Sequence, residues 1–354
     1  MTIKLRQNNK RVHHDRSSSG SRPTSCRRAL HAPTNLVALL IALLTLSVIA
    51  PACAQDAPQR PIRLIVPNAP GGGTDIIARH VAQFFAETLR QPMIVENRVG
   101  GGSLAGTDYV AKAAPDGQTL LLGGVSSLAL NPALFRNLPY DPLRDFVAVG
   151  FLAAYPFVLV ARPDLPGSSL ADLARLARAN PGKLSFGSAG VGTVQHVWAT
   201  ILVRSLGLDM VHVPYKGAAP AVQDMIGGRV DIMFDNLSAA RTYVDSGRLK
   251  ALAVSSTRRA EALPAVPTVE ETGLVKFSGE SWFGVFAPSQ TPTNAVERLR
   301  GGFAALSRSA EFAARVEHDT GRTMPIPAAE QQAFLRGEIE RWARLVARYE
   351  VSAD

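Results

Sequence analysis

One pattern governs the chain from residue 62 to residue 254: an apolar run of strand length, a loop of glycine and small polar residues, then an amphipathic helix. Ile62–Pro67 (IRLIVP) reads as a buried strand ending on a glycine turn. Asp75–Leu89 follows with Ile76, Ile77, Val81, Phe84, Phe85 and Leu89 on one broad helical face. Met93–Val95 and Thr119–Gly124 read as strands around a helix at Ser103–Ala113, which Pro115-Asp116-Gly117 stops. Further on, Phe157–Ala161, Leu184–Gly187, Met210–Val213, Val230–Phe234 and Leu249–Val254 are strand-like. Helices near 169–179, 193–206, 218–226 and 237–246 separate them. Trp282–Phe286 is one more strand, and Thr293–Glu350 is helical and charged.

Such alternation implies an α/β protein with a parallel sheet covered by helices. Some 300 residues of it, without an internal repeat or low-complexity linker, fit two lobes better than one. The expected division is residues 55–154 with 280–354 as one discontinuous lobe and 155–279 as the other. The chain would then cross between lobes near Ala154 and Gly279.

Open α/β sheets bind ligands beyond the C-terminal ends of their strands. Five such ends are rich in glycine and small polar residues: Val66–Asp75 (VPNAPGGGTD), Gly123–Ser127, Gly187–His196 (GSAGVGTVQH), Val213–Ala221 (VPYKGAAPA) and Phe234–Ala240 (FDNLSAA). Glycines let the backbone approach a ligand closely, and the helices behind them present unpaired N–H groups and a positive dipole end. This is the chemistry of an anion site. Taking a carboxylate out of water costs several kcal/mol. Charge-assisted hydrogen bonds return roughly 1.5–3 kcal/mol each, and a partly buried helix N-terminus up to about 2 kcal/mol. Three or four such donors offset the cost without a salt bridge. Single residues keep alternatives open. Thr74 and Asp75 also fit helix caps, as do Thr193 and Asn236. Ser188 fits an ordinary loop position, His196 and Lys216 fit solvated positions, and His212 inside a strand fits a structural role.

The formal net charge of +9 invites a nucleic-acid reading, but its distribution opposes it. Residues 1–54 hold eight Lys and Arg against Asp15 alone, so +7 of the +9 sits there and the remainder carries only +2. A nearly neutral body lacks the electrostatic footprint for phosphate backbones. The basic segment precedes Leu36–Ala50, an uncharged run of 15 residues. That run is short for a bilayer span, which needs about 20, and has the length of a signal-peptide core. Ala52-Cys53-Ala54 supplies the small residues of a cleavage site, so residues 1–54 are expected to be a signal peptide cut after Ala54. The mature protein is expected to be soluble in the periplasm. Lipidation at Cys53 is the alternative, although Ala50-Pro51-Ala52 lacks the leucine of a lipobox. Cys26 and Cys53 are the only cysteines, so the mature body has no disulfide framework.

Enzyme signatures are missing. No G-x-x-x-x-G-K-[ST] loop, H-E-x-x-H pair or G-x-S-x-G elbow occurs. GSAGVG has the wrong glycine spacing for a dinucleotide fingerprint, and the histidines of the mature chain lack ligand-like pairing. No catalytic residue, metal or cofactor is expected.

Several long motifs resemble one family: RPIRLIVPNAPGGGTDIIAR, IVENRVGGGSLAGTDYVAKAAPDGQTLLLG, FGSAGVGTVQH, HVPYKGAAPAVQDMIGGRVDIMFDN, LPAVPTVEETG and SWFGVFAP. In unbroken order over residues 58 to 350 they are similar to the Bug family of extracytoplasmic solute receptors. These are the substrate-binding subunits of tripartite tricarboxylate transporters. The resemblance implies a type II periplasmic-binding fold that closes on its ligand in a cleft between the lobes. It implies a small carboxylate ligand: a di- or tricarboxylate, an acidic amino acid or an aromatic acid. A proximal carboxylate would be held, partly through ordered waters, by Ala69, Gly72, Thr74 and Asp75 and by Ser188, Gly190, Thr193 and His196. Ser126, Ser127, Tyr215, Lys216, Gly217, Asp235 and Asn236 would shape the rest of the pocket. The implied partners are membrane permease subunits, and the receptor would be a monomer. Asn68 departs from the pattern, since many members carry an aromatic residue there. A sensory receptor feeding a membrane signalling protein, and less readily a hydrolase, are the competing functions on this fold.

Overall fold

The computed structural model describes residues 60–352. The apolar run, the cleavage site and Cys53 lie outside the described residues. Ten strands form one continuous sheet system in the order β2-β1-β3-β9-β4-β7-β5-β6, with β8 and β10 also paired to β4. The strands are β1 Ile62–Val66, β2 Met93–Asn97, β3 Thr119–Gly124, β4 Phe146–Ala161, β5 Ser185–Ser188, β6 Val211–Pro214, β7 Ile232–Asn236, β8 Lys250–Val254, β9 Glu280–Pro288 and β10 Arg322–Thr323.

The two ends of the system are parallel, as the alternation implies. β1 pairs in parallel with β2 and β3, and β5 with β6 and β7. The middle corrects that expectation. β9 runs antiparallel to both β3 and β4, and β4 runs antiparallel to β7 and β8. Antiparallel neighbours need no helical crossover between them. These two long strands can therefore join halves of the chain that are far apart in sequence.

β4 is longer than its sequence reading, which began at Phe157. Its first part, Phe146–Pro156, pairs with β9, and its second, Phe157–Ala161, with β7 and β8. All but one of its 16 residues are buried, so it is apolar throughout and lacks the alternation that marks a half-exposed strand. At the change of partner, Ser255 ties three segments together. Its N–H donates to Phe157 O at 2.8 Å, and its Oγ accepts from Phe157 N at 2.9 Å. The same Oγ donates to Gly279 O at 2.6 Å, while Gly279 N donates to Ser255 O at 2.8 Å.

The helices follow from their caps and apolar faces. Ser169, Thr193 and Ser309 each accept from the backbone N–H three residues on, opening Leu170–Ala179, Val194–Ser205 and Ala310–His318. The C-terminal stretch divides into Thr293–Arg308, Ala310–His318 and Gln331–Arg348. The last packs Trp342 edge-on against Trp198, with ring centroids 5.6 Å apart. Both indoles are fully buried, and replacing either by Ala would cost about 3–5 kcal/mol. Among the described residues no helix is long and apolar enough to cross a membrane.

Candidate ligand-binding cleft

A cavity of about 590 Å³ opens where the strand-end loops converge. Its walls come from the loops after β1, β2, β5 and β6 and from the end of β7. Five helices begin on these walls: α1 Gly73–Thr88, α2 Leu104–Ala111, α5 Val194–Ser205, α6 Ala218–Ile226 and α7 Leu237–Asp245, counting the short Asn131–Leu134 as α3 and Leu170–Ala179 as α4. Their N-cap residues Gly72, Ser103, Thr193, Gly217 and Asn236 all line the cavity. Of the five, only Thr193 caps its helix with a side chain. Each helix start carries about half a positive charge and leaves first-turn N–H groups without their usual partner, although at α2 Leu104 N and Ala105 N already donate to Gly101 O (3.2 Å) and Gly100 O (3.3 Å), and at α1 Asp75 N donates to Gly72 O (2.9 Å). Among the lining residues Lys216 alone is charged. The cavity therefore has a positive interior and no carboxylate on its surface.

Glycine is required where the two walls meet. Gly102 has φ +61°, and a Cβ there would lie 2.6 Å from Val191 O. Gly217 has φ +115°, and its Cβ would lie 2.7 Å from the Ala69 methyl. Both positions combine a backbone region unfavourable to other residues with a contact too close for any side chain. A third link is polar: Val194 N donates to Ser126 Oγ at 3.2 Å, so a side chain of the β3 loop assists the α5 start.

Four expected site residues stand behind this surface. Asp75 is 3% exposed and both its oxygens are occupied. Oδ2 accepts from Gly71 N (3.0 Å) and Arg79 Nε (2.9 Å), and Oδ1 from Asn97 Nδ2 (3.0 Å) and Arg79 Nη2 (3.2 Å). Burial acts to raise its pKa, but the Arg79, Gly71 and Asn97 donors outweigh it and hold the carboxyl below its ordinary value. Asp235, beneath the α7 start, accepts from Asn236 N at 2.8 Å. Burial pushes its pKa up to about 7 against the Asn236 and Gln195 donors. Ser188 is fully buried, accepts from Gly190 N at 3.2 Å and contacts His212 Nε2 at 2.7 Å. His196 stacks on His212 with centroids 4.3 Å apart. Burial, then for His196 the neighbouring His212, drives both imidazoles down to about 4, so they are neutral at pH 7.

Nine of the fifteen expected site residues line the main cavity: Ala69, Gly72, Thr74, Gly190, Thr193, Tyr215, Lys216, Gly217 and Asn236. Ser126 and Ser127 line a smaller pocket that also touches Thr74 and Asn236. Ser127 Oγ is turned to its own loop, bonding Gly124 N at 3.0 Å and Gly124 O at 3.2 Å. The Tyr215 hydroxyl donates to Asp224 Oδ2 at 2.8 Å. Asp75, Ser188, His196 and Asp235 line neither pocket. The Val99–Ser103 loop, all of which lines the cavity, stands outside the five strand ends singled out in the sequence; Gln195, inside the Gly187–His196 strand end, lines it too without having been among the expected site residues. The signal for the loop was present in Gly100-Gly101-Gly102, the same triple that marks the first loop. Asn68 lines the cavity as well, its amide donating to Ser103 Oγ at 3.1 Å.

An α/β fold with two parallel ends joined by long antiparallel strands, and a cleft ringed by helix starts, defines the class as a two-lobed periplasmic binding protein. The description "Tripartite tricarboxylate transporter family receptor" matches residues 77–351, and the chain belongs to that family. Protein BugT of Bordetella pertussis is 38% identical over 320 residues, covering 88% of this chain and 97% of its own. The structure of periplasmic binding protein BugD superposes with a TM-score of 0.79 at 34% identity, covering 84% of this chain and 99% of BugD. Rpa4515 of R. palustris, solved with adipate, gives a TM-score of 0.79 at 32% identity, covering 84% of this chain and 99% of its own.

Proposed function

We propose that the protein is a periplasmic receptor that captures a small carboxylate and delivers it to the membrane permease subunits of a tripartite transporter. The cleft carries this reading: five helix N-termini and one cation, Lys216, face a cavity with no acid on its walls. In the proposed closure, a lobe of residues 55–154 and 280–354 meets a lobe of residues 155–279 over the ligand. The change of partner along β4 and the Gly102 and Gly217 contacts support that division. One carboxylate sits against the α1 and α5 starts, near Gly72, Thr74, Gly190 and Thr193. Lys216 has no ion-pair partner among the described residues and receives a second carboxylate at the rim. Adipate, the ligand in the Rpa4515 structure, is a dicarboxylate of this kind. Asp75, Ser188, His196 and Asp235 act from behind by fixing the loops, and the receptor works as a monomer that leaves its ligand unchanged.

A thermal-shift panel of adipate, malate, citrate, glutamate and benzoate tests the reading. A true ligand at 100 times its Kd adds about 2.7 kcal/mol of apparent stability. It is recovered chemically intact after incubation with the protein. Absence of stabilisation by any small carboxylate would overturn the proposal, and turnover of the ligand would convert it to an enzyme.

A further inference from the structure

A second cavity, of about 360 Å³, lies on the stretch of the molecule where the chain passes between its parallel ends. That volume falls in the ~300–1,000 Å³ range of small-molecule sites. None of its lining residues is shared with the cleft. Its apolar wall is Trp282, Phe334 and Met324, with the Trp282 and Phe334 rings 5.6 Å apart and edge-on.

Its charges balance in pairs, with one left over. Arg322 pairs with Glu280 at 2.7 Å. Arg341 pairs with Glu338 at 3.3 Å, and Glu338 also accepts from Trp282 Nε1 at 2.8 Å. Both acids of the cavity are thereby neutralised. Arg258 remains, exposed and with no ion-pair partner among the described residues, on a turn that Ser256 Oγ fixes by donating to Arg258 O at 2.7 Å. An aromatic and aliphatic wall and one uncompensated guanidinium on the same cavity suit a flat apolar body bearing a single negative charge. The guanidinium fork matches a carboxylate, and the ring edges of Trp282 and Phe334 match an aromatic face.

We propose that this cavity is a second binding site, separate from the cleft, for a small aromatic or apolar monoanion held by Arg258 over Trp282 and Phe334. The site touches the strands that join the two ends of the sheet, beside the Ser255 ties to Phe157 and Gly279.

Benzoate and its neutral analogue benzamide serve as probes of the mature chain, with the Trp282 indole N–H resonance as the readout. That resonance is assigned by its loss in Trp282→Phe. Benzoate should displace it saturably while benzamide leaves it in place. Arg258→Ala, a change on an exposed turn, should weaken the benzoate response by about tenfold, and Thr74→Glu, which sets a carboxylate on the cleft wall where a first carboxylate would sit, should not change it. The proposal is overturned by an absent or unsaturable displacement, by an equal response to benzamide, or by full affinity in Arg258→Ala. Loss of the response in Thr74→Glu assigns it to the cleft and overturns the proposal equally.

Discussion

Asp75 and Asp235 are buried to the same degree, 3% and 2% exposed, and stand behind opposite walls of one cleft. Their electrostatic fates are opposite. Asp75 receives four hydrogen bonds, two of them from the Arg79 guanidinium, and stays charged. Asp235 receives only Asn236 N and the Gln195 amide, without a cation, and its pKa rises to about 7. Burial alone does not set the charge of a carboxyl; the donors that reach it do. The two acids also show two ways of keeping negative charge off an anion site. One acid is paired with a cation, and the other holds its proton into the neutral range.

Breaking the Asp75 side should have the largest effect. Asp75→Ala leaves Gly71 N and Arg79 without an acceptor and Asn97 with only Asn68 O. It is expected to cost about 2–4 kcal/mol in urea unfolding and to weaken carboxylate binding by at least about tenfold. Retention of both would show that the four bonds do not organise the loop. The linkage has a definite sign. A carboxyl whose folded pKa lies below its unfolded value stabilises the fold above the unfolded value near 3.8, and this contribution is lost as pH falls through the folded pKa. Asp75→Asn should therefore lose less stability than the native protein on acidification below about pH 4.

Asp235→Asn should move the other way. A carboxyl raised from 3.8 to about 7 on folding leaves the unfolded chain with fewer bound protons between those values. Stability then falls as pH rises from about 4 to 7, and levels off above. The amide keeps an acceptor for Asn236 N and removes the burial of charge, so a gain of about 1–3 kcal/mol is expected at pH 8. The native-minus-variant difference isolates this contribution. His196 and His212, lowered to about 4, produce a rise in stability between about pH 4 and 6.5 in both proteins. A loss of stability in Asp235→Asn at pH 8 would contradict the protonated reading.

Two smaller effects sharpen the contrast. The Arg79 side chain is 60% exposed, so Arg79→Ala should cost only about 1 kcal/mol, while raising the Asp75 pKa measured by carboxyl NMR. Lys216→Ala should weaken adipate by about threefold to tenfold and leave a monocarboxylate nearly unchanged. Equal losses for both ligands would move Lys216 from the second carboxylate to the first.

Much of the fold was legible because its signals are local. Ser169 and Thr193 cap the helices they were read to open, and Gly72, Gly190 and Gly217 stand on the cleft where their loops were read to meet a ligand. Strand direction was not legible. Trp282–Phe286 announces a strand, but nothing within it says that Phe286 will lie opposite Leu121 on one side and Ala148 on the other. The same limit applies to the acids. Arg79, four residues after Asp75, sits at ion-pair spacing in the sequence, whereas Asn97, 22 residues away, does not. The isolation of Asp235 and the stacking of His196 on His212 depend on elements brought together only by folding.

On the proposed reading, the cleft recognises negative charge through helix starts rather than shape alone. Calorimetric titration of the mature chain with the tightest carboxylate of the panel, beside its neutral primary amide, tests it most directly. Saturable one-to-one binding of the acid is expected, with the amide weaker by about a hundredfold or more. Comparable affinity for the amide would contradict the account, because a cavity without a charge-specific lining would then suffice.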